Sequence, residues 1–312
     1  IDQPTPSALK HPPVAGGGGR EEVRNPLRFF LWLTQTYGDI VQYRSSVEPA
    51  YLINRPDYIG HVLQANSLHY NKDTSLNKYM LESVPGKGLL TSKTPLGGGQ
   101  RRLIHPPFPR HSLPRFAELM REAVQRSLDR LDAAAVRNQP VDIAREMMQL
   151  TLDIVTEALF SYDINDRAAE IGEAMDTMAA IGKPRHRKVR EAIELLDRIV
   201  YTIIDERRAA VGDAPDDLLT MLLEARYDDG SPMPIRQVRD EVMSLLVAGH
   251  ETTANTLSWT WYLLDRNPDA LARLEEEIDR GMEGRVPRVE DFLQLTYTDK
   301  VIQEAMRLYP SA

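Results

Sequence analysis

Six consecutive residues, Ala248, Gly249, His250, Glu251, Thr252 and Thr253, interrupt an otherwise apolar stretch. A carboxylic acid beside two hydroxyls can hand protons to something bound next to it. The two small residues before them leave the backbone bare, so that a flat ligand can lie against it. Each of the six is a poor choice for plain helical core. Glycine costs about 1 kcal/mol relative to alanine. Threonine can bond back to the carbonyl four residues earlier and bend the helix, and a buried Glu251 needs a partner or a raised pKa. Such a local conflict inside a consistent element often marks a functional site, although a solvated kink or a helix-packing notch accounts for the same residues. A second pair, Glu304 and Arg307, lies three apart and therefore on one helical face. By itself this spacing describes an exposed ion pair of little energetic consequence.

The elements that must position these residues follow from periodicity. The stretch MSLLVAGHETTANTLSWTWYLL lies in a helical pattern from near Pro234 to the stop at Asn267-Pro268. About 33 residues at ~1.5 Å each make a rod of about 50 Å. It is apolar on more than one face, as expected of a helix surrounded by protein. Helical spacing of apolar residues also recurs near 56–66, 114–137, 141–162, 166–181, 185–211 and 215–227; Val141, Ala144, Met148, Leu152, Val155 and Leu159 illustrate it. Val301, Ile302, Ala305 and Leu308 form a helical stripe around the Glu304–Arg307 pair. Before these, PLRFFLWLTQTY predicts a helix with Pro26 in its first turn and Gly38 at its end. DIVQYR (39–44) and AYLINR (50–55) predict a β-hairpin. Residues 1–26 read as an extended lead-in, with the glycines at 16–19 as a flexible link. The fold class is mainly α, with a long central helix and a small N-terminal β-sheet region.

Composition narrows the function. The 312 residues are 42% hydrophobic and 27% charged, ordinary for a globular chain. The 38 basic and 46 acidic residues leave a net charge of −8, which argues against a nucleic-acid partner. There is no cysteine, so no disulfide, thiol nucleophile or cysteine-held metal lies in these residues. The seven histidines show no ligand pairing. The apolar run from Met243 to Gly249 is far short of the ~20 residues that a membrane span needs, and it is flanked by Asp240, Glu241, His250 and Glu251. No signal peptide, membrane anchor or spanning segment is expected, and a cytoplasmic protein is.

In this order, the two polar signals resemble those of the cytochrome P450 family of haem-thiolate monooxygenases. The family's A/G-G-x-D/E-T is matched by Ala248, Gly249, His250, Glu251 and Thr252, and its E-x-x-R by Glu304 and Arg307. GLLTS at 88–92, QRRLIHPPF at 100–108 and SWTWYLLDRNPDA at 258–270 extend the resemblance along most of the chain. It implies a P450-like fold over residues 1–312 as a single haem domain. The implied cofactor is haem b, with dioxygen as co-substrate and electrons ultimately from NAD(P)H through a ferredoxin, flavodoxin or reductase. The implied reaction is hydroxylation of an apolar organic substrate. Thr252 looks like the hydroxyl that helps deliver protons, and Glu251 like the acid upstream of it. Ala248 and Gly249 would lie over the haem face. Arg101 matches the arginine of a W-x-x-x-R segment that contacts a haem propionate. Glu304 and Arg307 would form a structural ion pair.

Three departures accompany the resemblance. Gly97 stands where W-x-x-x-R has its Trp. The stretch 175–188 is shorter than the family's usual lid over the substrate pocket. The axial cysteine thiolate, which favours O–O cleavage, has no counterpart before Ala312 and is expected beyond it. A peroxide-using haem enzyme and a non-catalytic helical binding protein that has lost haem are the alternatives.

Overall fold

The computed structural model describes residues 11–18, 24–45, 48–71, 74, 86–92, 113–164, 167–181, 186–210 and 214–311. The chain divides into two compact units, Ile1–Tyr79 and Met80–Ala312.

The first unit holds a three-stranded sheet and a helix. Strand β2 (Ile40–Arg44) pairs antiparallel with β3 (Pro49–Ile53), Gln42 facing Tyr51 and Arg44 facing Pro49. This is the hairpin expected from the alternating sequence. Helix α1 (Pro26–Tyr37) starts with Pro26 in its first turn, and the Asn25 side chain accepts the Arg28 N–H at 3.1 Å. It ends at Gly38, whose φ of +89° suits glycine. Phe29 and Leu33 from one face of α1 pack with Ala15, Val41 and Tyr43. One expectation is corrected here. The lead-in is not wholly extended linker: Val14–Gly18 forms strand β1, paired parallel with β2. Backbone ladder bonds to β2 hold it, which offsets the entropy lost by ordering glycine. Helix α2 (Pro56–Gly60) runs on into a wider π-helical turn (His61–Ala65).

The second unit is helical among its described residues: α3 (Leu113–Val136), α4 (Ile143–Phe160), α5 (Ala168–Ile181), α6 (Arg187–Ala209), α7 (Leu218–Glu224), α8 (Ile235–Arg266), α9 (Pro268–Met282) and α10 (Thr296–Leu308). The Asp142 carboxylate caps α4 by accepting from the N–H groups of Ala144 and Arg145. Asp217 caps α7 and is paired with Arg207. Helix α8, 32 residues long, is the axis of the unit. It packs against α4, α6, α7, α9 and α10 and stops at Asn267 because Pro268 cannot continue it. Val238, Val242, Met243 and Leu246 from α8 join Leu196, Ile199 and Ile203 from α6, and Leu218, Leu219 and Leu222 from α7, in one core. Among the described residues no helix is long and apolar enough to cross a membrane.

Candidate functional site

Ala248, Glu251, Thr252 and Asn255 stand at i, i+3, i+4 and i+7 of α8, and so on one face. All four are half-buried, whereas Met243, His250 and Ala254 on the far side are buried. The middle of the central helix therefore presents a partly open face, lined by a methyl group, a carboxylate, a hydroxyl and an amide, while Thr253 is exposed on another side. The expectation that Glu251 is buried is corrected: it lies at the edge of this face, half in solvent, and needs no buried partner.

The Thr252 hydroxyl donates to the Ala248 carbonyl at 2.6 Å. Its one proton is committed to the backbone, so its lone pairs remain for an incoming donor. The same back-bonding recurs down the helix, from Thr256 to the Thr252 carbonyl, Ser258 to that of Ala254 and Thr260 to that of Thr256.

Gly249 does not share the open face. A Cβ built on it would lie 3.0 Å from Val155 Cγ2 on α4. Glycine here allows α4 and α8 to approach closely, and Ala254, fully buried against Ala123, Met147 and Leu150, does the same one turn on. The Thr151 hydroxyl of α4 shares its proton between the carbonyls of Met147 at 2.9 Å and His250 at 3.1 Å, tying the two helices. His250 points into this packed side at 1% exposure, and neither ring nitrogen has a hydrogen-bond partner. Burial holds its pKa below the ordinary value.

On α10, the Arg307 guanidinium grips Glu304 through two bonds of 2.7 Å, and both side chains are more than half exposed. That pairing holds the Glu304 carboxyl below its usual range. The end of α10 is anchored on the downstream half of α8. Trp259 stacks on Tyr309 with ring centroids 4.1 Å apart, and the hydroxyls of Thr256 and Ser311 lie 2.6 Å apart.

Arg101, Gly97 and the histidines at 105 and 111 lie outside the described residues. No group of three or more metal-binding side chains occurs among the described residues.

Sequence reasoning missed one polar cluster. Asp240 and Glu241, read only as flanks of an apolar run, are buried at 6% and 0% exposure. Glu241 accepts from the Leu89 N–H at 2.7 Å and from the Gln237 amide at 2.7 Å, and Asp240 accepts from the Lys87 N–H at 2.9 Å. Burial pushes the Glu241 carboxyl up to about 7, against the lowering effect of those two donors. The available signal was two adjacent acids, with Val238 before them and Val242 and Met243 after, in a helix expected to be surrounded by protein.

Comparison with known proteins adds a lineage. The family model described as Cytochrome P450 matches residues 18–312. Cyclooctatin synthase of Streptomyces melanosporofaciens is 34% identical over 93% of this chain and 65% of its own length. Protein LUTEIN DEFICIENT 5, chloroplastic, of Arabidopsis thaliana is 30% identical over 94% of this chain and 54% of its own. Pentalenene oxygenase of Streptomyces avermitilis is 30% identical over 96% of this chain and 68% of its own. The chain thus spans between about half and two thirds of the length of these relatives.

Proposed function

The chain belongs to the cytochrome P450 family, and from that premise we propose that the open face of α8 is the oxygen- and substrate-side wall of a haem monooxygenase site. The carrying observation is that Ala248, Glu251 and Thr252 share one half-buried face at the middle of α8, opposite the buried Met243, His250 and Ala254. The residues present fit one face of haem. Alanine at 248 leaves the helix surface flat enough for a macrocycle, and the Thr252 lone pairs are directed to the same side. The iron ligand in this reading is the cysteine thiolate that membership of the family implies.

When bound, haem supplies the redox chemistry that activates dioxygen, with electrons from a partner protein. The chain's own share is positional and protonic. Ala248 leaves space for a small ligand and an apolar substrate. Thr252 accepts a hydrogen bond from that ligand while the Ala248 carbonyl holds the threonine proton at Oγ1. Glu251, one residue upstream and half in solvent, brings protons from outside to this position. Gly249 serves the site indirectly, by setting how closely α4 supports α8. Arg101 is assigned to a haem propionate, where a guanidinium makes charge-assisted bonds to a carboxylate, and Glu304 with Arg307 to a structural ion pair.

The two units are read as parts of one haem domain, a reading supported by a family match that runs through both. The finer assignments are haem b, electrons originating in NAD(P)H, delivery by a ferredoxin, flavodoxin or reductase, and a cytoplasmic site of action. Membership of the family is what supports this set. The name pentalenene oxygenase states the oxygenation of an organic molecule, in line with an apolar organic substrate here.

The test is Thr252→Ala in the full-length protein with its redox partner. Electron consumption should continue while product per electron falls about tenfold and hydrogen peroxide release rises. Unchanged product per electron would remove Thr252 from the proton path.

A further inference from the structure

Residues 86–92 (GKGLLTS) lie against the upstream half of α8 through main-chain groups only partly explained by the loop's own folding. Internally, the Thr91 hydroxyl donates to the Gly86 carbonyl at 2.5 Å and Ser92 Oγ to the Lys87 carbonyl at 2.6 Å. Toward α8, the Lys87 N–H meets Asp240, the Leu89 N–H meets Glu241, and the Gln237 amide donates to the Lys87 carbonyl at 2.9 Å. Arg239 steadies this arrangement by donating to Asp240 at 2.9 Å and pairing with Asp197 of α6.

The approach is close enough to exclude any side chain. A Cβ on Gly86 would lie 2.3 Å from Asp240 Oδ1, and one on Gly88 would lie 2.1 Å from Ser244 Oγ and 2.3 Å from the Asp240 carbonyl oxygen. Gly86 also has φ +72°. Ser244 is four residues before Ala248, and Glu241 is seven before it, so both lie on the same stripe of α8 as the open face. The stripe is covered by the loop as far as Ser244 and open from Ala248 on.

We propose that Glu241 is a positioning residue for the substrate groove: by holding the Leu89 main chain it seats residues 86–92 as the wall that closes the upstream end of the open face of α8. This deepens the proposed function and rests on it for the identity of the groove. The carboxylate acts through the loop and touches no reacting atom. Its two oxygens are each occupied, one by the loop and one by Gln237, which reaches the loop itself. Removing the acceptor releases the Leu89 tie and takes from the Gln237 amide one of its two partners.

The experiment compares Glu241→Ala and Glu241→Gln in the full-length haem protein. Glutamine keeps an oxygen for the Leu89 N–H, and alanine does not. Amide hydrogen exchange at Leu89, which needs neither haem nor turnover, should quicken at least tenfold in E241A and stay within about threefold of the parent in E241Q. Two azole probes then read the groove: imidazole, which covers only the iron, and 1-dodecylimidazole, whose chain must pass along the wall. E241A should weaken 1-dodecylimidazole about tenfold and leave imidazole within twofold, and E241Q should restore both. An unchanged Leu89 exchange rate in E241A overturns the clamp. Fast exchange with both azoles unaffected, or with both weakened alike, overturns the positioning role. If neither parent nor variant binds imidazole, the haem reading fails, and the exchange result still decides the clamp.

Discussion

Two stretches of α8, about two turns apart, place acids on the same stripe of one helix and treat them in opposite ways. At residues 240 and 241 both carboxylates are buried, and every oxygen has a donor: Arg239 and Lys87 for Asp240, Leu89 and Gln237 for Glu241. At residues 248–252 the carboxylate is half exposed and the hydroxyl turns its proton inward, leaving the outer side open. A polar interruption in a buried helix can thus serve two ends. Where neighbouring main chain saturates it, it builds structure; where its outer lone pairs stay unclaimed, it is available for chemistry.

The contrast can be broken most sharply at the glycines. Gly88→Ala would force a Cβ onto the Asp240 carbonyl and Ser244, backbone and short side chain that cannot swing away. A loss of about 3 kcal/mol is expected, at the upper end of overpacking costs, measurable by denaturant unfolding. Next, Glu241→Ala leaves the Leu89 N–H and the Gln237 amide without their acceptor, for a loss of about 2 kcal/mol. Glu251→Ala, by contrast, should cost less than about 0.5 kcal/mol, as surface changes do. Comparable losses from the two would mean that the halves of α8 do not differ as described.

Stability against pH separates Glu241 from His250. Glu241 has a folded pKa of about 7 against an ordinary 4.5, so between those values the folded state keeps a proton the unfolded chain has released. Its contribution to stability therefore falls as pH rises through that window, by at most ~1.4 kcal/mol per pH unit. His250 is shifted below its ordinary 6.5, so below that pH the unfolded chain takes up a proton that the folded state refuses. Its contribution falls as pH falls. Glu241→Gln should make the rise of stability with pH between about 4.5 and 6.5 steeper, and His250→Leu should make it shallower or reverse it. Chemical denaturation across that range would show both slopes.

A small effect of either sign is expected for Gly249→Ala. The added methyl meets the movable Val155 side chain at 3.0 Å, while alanine gains about 1 kcal/mol of helix propensity. The net change should lie within about 1 kcal/mol of zero, in contrast to Gly88→Ala. A large loss would mean that the α4–α8 contact is as rigid as the loop contact.

Much of the molecule was readable from residue order. The hairpin at 40–53, the ends of α1 and the stop of α8 at Asn267-Pro268 follow from alternation, proline and glycine, all local properties. So does the common face of Ala248, Glu251 and Thr252, because helical pitch alone places i, i+3 and i+4 together. Strand β1 was not readable, since a run of glycines carries no side-chain pattern and its pairing depends on β2.

The tertiary structure decided what each polar residue of α8 is for. Asp240 and Glu241 find their partners 153 and 152 residues away, and no local pattern encodes a donor at that distance. Gly249 and Ala248 are adjacent and both small, yet one faces Val155 and the other the open side. Glu251 differs from Glu241 only in what lies opposite it. Residue type and pitch determine which groups share a face, but burial and hydrogen-bond saturation come from whatever packs against that face, and those depend on the whole chain.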